Sequence, residues 1–485
     1  MDRSEKLLFE IGSPGREAVV LPAPPAADDS TLEIDSRWVR PDIEGFPELS
    51  EVDVVRHFTR LSRWNTAVDL GMYPLGSCTM KYNPKIHERL ARLPGLAEIH
   101  PLQPADTVQG CLRLIHSLER ELCAITGMDH FTLQPAAGAQ GEFVGMQMIR
   151  AALAERGDPR RVVLIPDSAH GTNPASAHLA GYEVESVPST PAGTIDVAAL
   201  QKRMGPDVAA LMLTNPNTLG VFEAAISEVV AIVHGGGGLI YHDGANMNAL
   251  LGKVRPGDTG VDVLHLNLHK TFSTPHGSGG PGAGPVGVRG ALEPYLPVPR
   301  VAEERGTLRF DHDHPRAIGR VHSFWGNFGM LVRALAYIRT LGPEGLAQAT
   351  EQAVLNARYL RARLSEAYEP AVESPMLHEV VFSDRSFHDL GVSTLDVAKR
   401  LLDFGFHPPT IYFPLIVPGA LMVEPTESES RQELDAFIEA MLKIREEAER
   451  EPQMLKSAPH RTPVRRLDEV TAARRPRLRW RPEGA

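Results

Sequence analysis

Between residues 130 and 290, apolar residues fall into short runs separated by helical or glycine- and proline-marked stretches. Seven such runs stand out: "FTLQ" at 131, "RVVLIP" at 161, "EVESVP" at 183, "VAALMLT" at 208, "GLIYHD" at 238, "VLHLNL" at 263 and "PVGVRG" at 285. Brief apolar runs joined by crossovers predict an α/β domain with a mostly parallel, seven-stranded sheet covered on both faces. Ligands of such sheets sit beyond the carboxyl ends of the strands, so functional residues are expected just after these runs.

The period then becomes helical. "FGMLVRALAYIRTLGPEGLAQATEQAVLNARYLRARLSEAY" predicts long helices broken at "GPEG". A smaller C-terminal α+β domain is expected beyond it, with strands in "HEVVFSD" and "GALMVEP" and helices in "STLDVAKRLLDFGF" and "SRQELDAFIEAMLKIREEAER". The Ser and Thr before "LDVAKRLL", and "TESES" before "RQEL", are the expected N-caps. The first 60 residues are rich in proline and acid and read as an extended arm ordered by draping over the rest. The expected divisions are an arm and site-proximal segment at 1–95, a large domain at 96–340, and a small domain with an arginine-rich tail at 341–485.

Composition narrows the function classes. A chain of 485 residues is too long for one simple core, and 42% hydrophobic with 23% charged residues is ordinary for a soluble globular enzyme. A net charge of −11 argues against a general nucleic-acid binder. Cys78, Cys111 and Cys123 have no paired spacing, which fits a reducing, cytoplasmic setting. The N-terminus lacks a signal-peptide core, and no apolar run approaches the roughly 18 residues that would span a bilayer. His312 and His314 alternate with aspartates in "RFDHDHPR" without a defined further ligand set, so a polar loop and no metal are expected there. Cys78 in "GSCTMK" reads as a structural thiol, with proximity to the site through the arm as the alternative.

Each strand end offers a candidate with a bland alternative. After the run at 131, Gly138, Ala139 and Gln140 open a helix and either cradle an anion on bare N–H groups or make a tight turn. After the run at 161 comes His170, a contact for a flat ligand or a solvated loop residue. After the run at 208 come Thr214, Asn215 and Asn217, polar ligands or a well-made turn. Asp243 follows the run at 238 and could be a helix cap; Lys270 follows the run at 263 and could be a surface lysine. Together the set decides. An anion cradle, a ring, an acid and an amine at successive strand ends are the parts that pyridoxal 5′-phosphate requires: a phosphate anchor, a carboxylate for its pyridinium nitrogen and a lysine for the Schiff base. The 27 positions from Asp243 to Lys270 leave room for a crossover to a neighbouring parallel strand. The glycines of "HGSGGPGAGP" let backbone approach a ligand closely.

The segments "LGSCTMKYNPK", "QPAAGAQGE", "DSAHGTNPASA", "TNPNTLGVFE", "HDGANMNA", "LNLHKTFSTPHGSGGPGAGPVGV", "HPPTIYFPLIVPGALMVEPTESES" and "APHRTPVRRLDEV" resemble the P-protein family of the glycine cleavage system over nearly the whole chain. The length resembles the lysine-carrying subunit of the two-subunit form. The resemblance implies fold-type I architecture, glycine as substrate, decarboxylation with aminomethyl transfer to the lipoyl arm of H-protein, and a partner subunit 1 in an α2β2 assembly. It also implies Lys270 as the Schiff-base lysine, Asp243 as the pyridinium partner and His170 stacked on the ring. Gly138, Ala139 and Gln140 match the phosphate loop; Thr214, Asn215 and His269 match further cofactor contacts. Another fold-type I reaction, such as transamination or a different decarboxylation, and a non-catalytic subunit remain the alternatives.

Overall fold

A computed structural model describes residues 5–19, 22, 34–40, 43, 45–276 and 282–481. The glycine-rich stretch after Lys270 falls partly at 277–281, outside the described residues, and so does its Ser278. The chain forms two compact units, Met1–Ala67 with Pro459–Ala485, and Val68–Ala458.

In the first unit the expectation of an extended arm is corrected at two α-helices, the single turn Leu8–Ile11 and the longer Glu51–Ser62. Glu51–Ser62 is an α-helix whose Ser50 hydroxyl caps the Asp53 N–H. Its opening "SEVD" supplies a cap and two first-turn acids, and these local signals outweigh the surrounding prolines. Glu5 ties the helix down by pairing with Arg60 and meeting His57 Nδ1 at 3.3 Å. The Phe9 and Trp480 rings stack at 4.9 Å within the same unit.

In the second unit all seven expected runs become strands of one sheet: β1 (His130–Thr132), β2 (Val162–Pro166), β3 (Glu183–Val187), β4 (Val208–Thr214), β5 (Leu239–Gly244), β6 (Val263–Leu266) and β7 (Val286–Val288), ordered β1-β7-β6-β5-β4-β2-β3. β3, β2, β4, β5 and β6 run parallel, and β7 lies antiparallel between β6 and β1. β4 is buried along its whole length, as a strand covered on both faces must be. One apolar core lies around Leu118, Leu211 and Leu264, and another around Met146, Tyr241 and Val263. A hairpin the apolar runs did not reveal, β8 (Arg300–Glu304) with β9 (Thr307–Asp311), packs beside the helix Gln109–Thr126.

The helix Phe328–Leu364 breaks at Gly342, where φ is 62° and Pro343 starts the second stretch without an N–H to satisfy. Its first half joins the large core and its second half a separate core around Leu360, Phe382 and Phe437. That second core underlies an antiparallel sheet of β10 (Glu369–Pro370), β11 (Val380–Ser383), β12 (Thr410–Ile411) and β13 (Leu421–Val423), ordered β10-β11-β13-β12. The expected caps form: Ser393 accepts from the Asp396 N–H and Ser430 from the Glu433 N–H. No helix among the described residues is long and apolar enough to cross a membrane.

Phe437 is fully buried in the smaller core. Replacing Phe437 with Ala is expected to cost ~3–5 kcal/mol, whereas Ser430→Ala, which only uncaps a helix, should cost ~1 kcal/mol. Chemical denaturation followed by circular dichroism checks the ranking.

Candidate active site

Parallel pairing of β4, β5 and β6 puts Thr214 opposite Asp243, and Asp243 opposite His265, at the carboxyl edge of the sheet. Partners across a parallel ladder share a face, so the three side chains lie side by side. Period-two alternation places Tyr241 on that face as well. Its hydroxyl meets His265 Nδ1 at 2.8 Å, and His265 Nε2 lies 3.3 Å from an Asp243 oxygen. The other Asp243 oxygen accepts from Asn173 Nδ2 at 2.9 Å, and the Ala245 N–H donates to the first at 2.9 Å. Burial by itself would raise the Asp243 pKa. His265, the two N–H donors and the charge of Lys270 outweigh it and hold the carboxyl below its ordinary range. Asp243 is a buried carboxylate kept ionised.

The neighbouring Glu142 goes the other way. Burial and the charge of Asp243 raise its pKa, while Thr172 and Ser176 donate to its two oxygens at 2.8 Å each. Of two acids in one dry place, the one with the better donors stays charged.

Lys270 follows β6, and its Nζ donates to the Ser77 carbonyl at 2.9 Å. Ser77 holds φ at 59°, a left-handed conformation that costs a serine energy. Its N–H is fixed by Glu379 at 2.8 Å. A buried lysine, Lys81, is spent on structure. It pairs with Glu427 and donates to Asn248 Oδ1 at 2.7 Å, to the Thr271 carbonyl at 2.8 Å and to Tyr337 at 3.2 Å. Removing one partner of such a buried pair costs about 3–5 kcal/mol, so Lys81 is not free to react.

The helix Gly138–Glu155 begins with the N–H groups of Gly138, Ala139 and Gln140, ahead of its first i→i−4 bond, from Gly141 to Ala137. No side chain caps this start. Gly138 is required there, because a Cβ would come within 2.3 Å of Asn267 Oδ1. Gly284 allows the same close approach from the other side, where a Cβ would come within 2.1 Å of the Ala137 carbonyl oxygen. The Gln140 side chain is occupied, accepting from the Ala136 N–H and donating to the Val321 carbonyl, both at 2.7 Å. Its backbone N–H alone can serve a ligand.

His170 lies past β2 with Nδ1 at 2.8 Å from Thr172 Oγ1 and its ring edge-on to Phe413 at 5.4 Å. Burial, then Lys270, lowers its pKa, which keeps the ring neutral. The Asn215 oxygen is used by the Glu223 N–H at 2.9 Å. Thr214 Oγ1 is buried and has no partner, as are Asn173 Oδ1, Asn267 Oδ1 and Thr271 Oγ1. His269 is beside Lys270 in sequence, and its Nδ1 accepts from the Ala283 N–H at 3.3 Å. The fold thus brings Thr214, Asp243 and Lys270 to one strand edge, and the bare helix start to the flank of Asn267. Buried polar atoms without partners around an ionised acid and an amine fit a polar group with an anionic arm, which matches pyridoxal 5′-phosphate.

Sequence reasoning missed His265, Asn173, Glu142, Ser77 and Glu379. His265 was legible in principle: a histidine inside an apolar strand two residues from Asn267 needs a buried partner. Ser77 and Glu379, 302 positions apart, left no local signal.

Residues 141–280 match the aminotransferase class-V family, and residues 349–460 match the C-terminal domain of glycine dehydrogenase. The chain is 55% identical over 477 residues to a Caldanaerobacter subterraneus protein described as "Probable glycine dehydrogenase (decarboxylating) subunit 2", covering 98% of each chain. A Bacillus licheniformis protein of the same description is 54% identical over 481 residues, covering 99% of each. Among solved structures, an inhibitor-bound glycine decarboxylase (P-protein) of the glycine cleavage system aligns with TM-score 0.72 at 22% identity, over 85% of this chain and 93% of that one. A Burkholderia pseudomallei sphingosine-1-phosphate lyase aligns with TM-score 0.62 at 15% identity, over 85% and 94%.

Burial holds the histidines His242, His269 and His378 neutral, with pKa values lowered to about 4, 3 and 3. The unfolded chain takes up protons on these residues below its ordinary histidine pKa near ~6.5, and the folded chain does not. Stability is therefore expected to fall as pH drops from 7 through 5. The urea midpoint against pH checks this, and His242→Asn should flatten the slope.

Proposed function

The chain belongs to the glycine dehydrogenase (decarboxylating) subunit 2 family, and we propose that Lys270, Asp243, His170 and the 138–140 helix start form its cofactor site. The enzyme is a pyridoxal-phosphate-dependent glycine decarboxylase of the glycine cleavage system, with fold-type I architecture. The observation that carries the assignment is the ionised Asp243 at the end of β5, next to the strand that delivers Lys270.

When bound, pyridoxal phosphate supplies an electron-accepting ring through which the Cα–carboxylate bond of glycine is broken. The protein's residues provide the rest. Lys270 offers the amine that holds the cofactor aldehyde, and the Ser77 carbonyl receives its Nζ when the amine is free. Asp243, kept charged by His265 and Asn173, would hold a proton on the ring nitrogen and so strengthen the acceptor. The neutral His170 would contact the flat ring. The N–H groups of Gly138, Ala139 and Gln140, at the positive end of an 18-residue helix, would hold the phosphate. Thr214, Asn215 and His269 would complete the contacts, and Thr214 Oγ1 is a buried hydroxyl still open for a bond.

Glycine is the substrate, and the subunit-2 description of the relatives implies a subunit 1. We extend this to an α2β2 heterotetramer in the cytoplasm that passes the aminomethyl group to the lipoyl arm of H-protein. Sequence coverage of 98% against the Caldanaerobacter protein supports that reading over another fold-type I reaction.

Lys270→Ala is expected to abolish the lysine-linked cofactor absorbance and to lower glycine–CO2 exchange by more than ~10³-fold, measured with subunit 1 and lipoylated H-protein. Asp243→Asn should keep the absorbance and slow exchange by ~10²-fold or more. Full turnover by Lys270→Ala would refute the assignment.

A further inference from the structure

The smaller sheet brings together a buried acidic pair, one member of which holds Ser77, whose carbonyl receives the lysine. Glu379 enters β11 and Glu424 leaves β13, and both are fully buried with His378. Oxygens of the two acids and a nitrogen of His378 lie within 4.8 Å of one another. One oxygen of each acid is engaged, Glu379 by the Ser77 N–H and Glu424 by the Thr79 hydroxyl. The other oxygen of each, Glu379 Oε1 and Glu424 Oε2, is buried without a partner, as are both nitrogens of His378. Two ionised carboxylates cannot share such a place without a cation or a proton between them.

The surrounding charges and the bare oxygens together decide between one proton and two. Lys270 acts on all three groups. Lys81 also acts on Glu424, but it is paired with Glu427, which repels Glu424. Burial raises the Cys78 thiol to about 11 and keeps it neutral, and burial lowers His378 to about 3. Lys81 and Glu427 cancel, and the charge of Lys270 is shared between this pair and the ionised Asp243. The bare oxygens then decide: one proton between Glu379 Oε1 and Glu424 Oε2 satisfies both, because their other oxygens already accept from Ser77 and Thr79.

We propose that Glu379 and Glu424 share one proton, so that the pair carries one negative charge, sets the proton affinity of Lys270 and, through Ser77, places the carbonyl that receives Nζ. Burial and the charge of Glu424 raise the Glu379 pKa well above the carboxylate range, and burial raises Glu424 to about 7, in keeping with a shared proton. Both are positioning residues, since neither touches the amine. The inference rests on Lys270 as the cofactor lysine.

Shared protonation makes an unusual pattern of single and double variants. In Glu379→Gln or Glu424→Gln the remaining acid ionises, so the charge is unchanged. The pH midpoint of the lysine-linked absorbance, read in the holoenzyme, should stay within ~0.3 pH unit of wild type in each single variant and fall by ~1 pH unit or more in the double variant. Equal, additive shifts in the two single variants would mean two ionised acids, and an unshifted double variant would mean a neutral pair; either overturns the proposal. Infrared difference spectra of the single variants read the same proton without the double variant. Each should lose one protonated-carboxyl band relative to wild type, and retention of that band in both refutes a shared proton. A stoichiometric divalent metal in wild type that is lost from the single variants would also overturn it. Lys270→Ala, which keeps the absorbance only if the underlying assignment fails, separates that failure from this one.

Discussion

A charged carboxylate held out of water is the constraint on which the rest of this site depends. Asp243 stays ionised because His265, Asn173 and the Ala245 amide are already in place around it. Those groups come from β6, from the helix after β2 and from the turn after β5, so the sheet must be complete before the acid is solvated by protein. Burial and its field together raise the Glu142 pKa, and the charge of Lys270 helps to hold Asp243 itself down. Sheet register, rather than any single contact, is what sets the electrostatics of the pocket.

Local pattern made the scaffold legible. All seven strands were marked by apolar runs, and the caps at Ser393 and Ser430 by their residue types. The strand-end rule located Thr214, Asp243 and Lys270 because parallel pairing turns sequence order into a spatial edge. What stayed hidden depends on distance along the chain. Glu51–Ser62 was obscured by its proline-rich neighbours, and the two-residue strands β10 and β12 are too short for a period to show. Gln140 shows the same limit: the helix start marked its backbone N–H, while the bonds of its side chain to Ala136 and Val321 left no local signal.

Two lysines, Lys81 buried and Lys270 half-buried, illustrate how environment divides like residues between roles. Lys81 has four partners and serves as a clamp between the segment after Ser77 and the one after Lys270. Lys270 has one carbonyl, held in a strained conformation. An amine with many fixed partners would lose several hydrogen bonds on reacting, while one with a single neutral acceptor loses little. Reactivity here follows from what has been left out of the surroundings.

The bonds Ser77–Glu379, Thr79–Glu424 and Lys81–Glu427 join residues 302, 345 and 346 positions apart. During synthesis on the ribosome, the large sheet can therefore close around Asp243 long before the lysine's resting carbonyl is secured. A nascent chain that stops short of Glu427 would carry the amine but not its seat. Quality control of this enzyme is thus built into its last quarter, which no fragment ending earlier can supply.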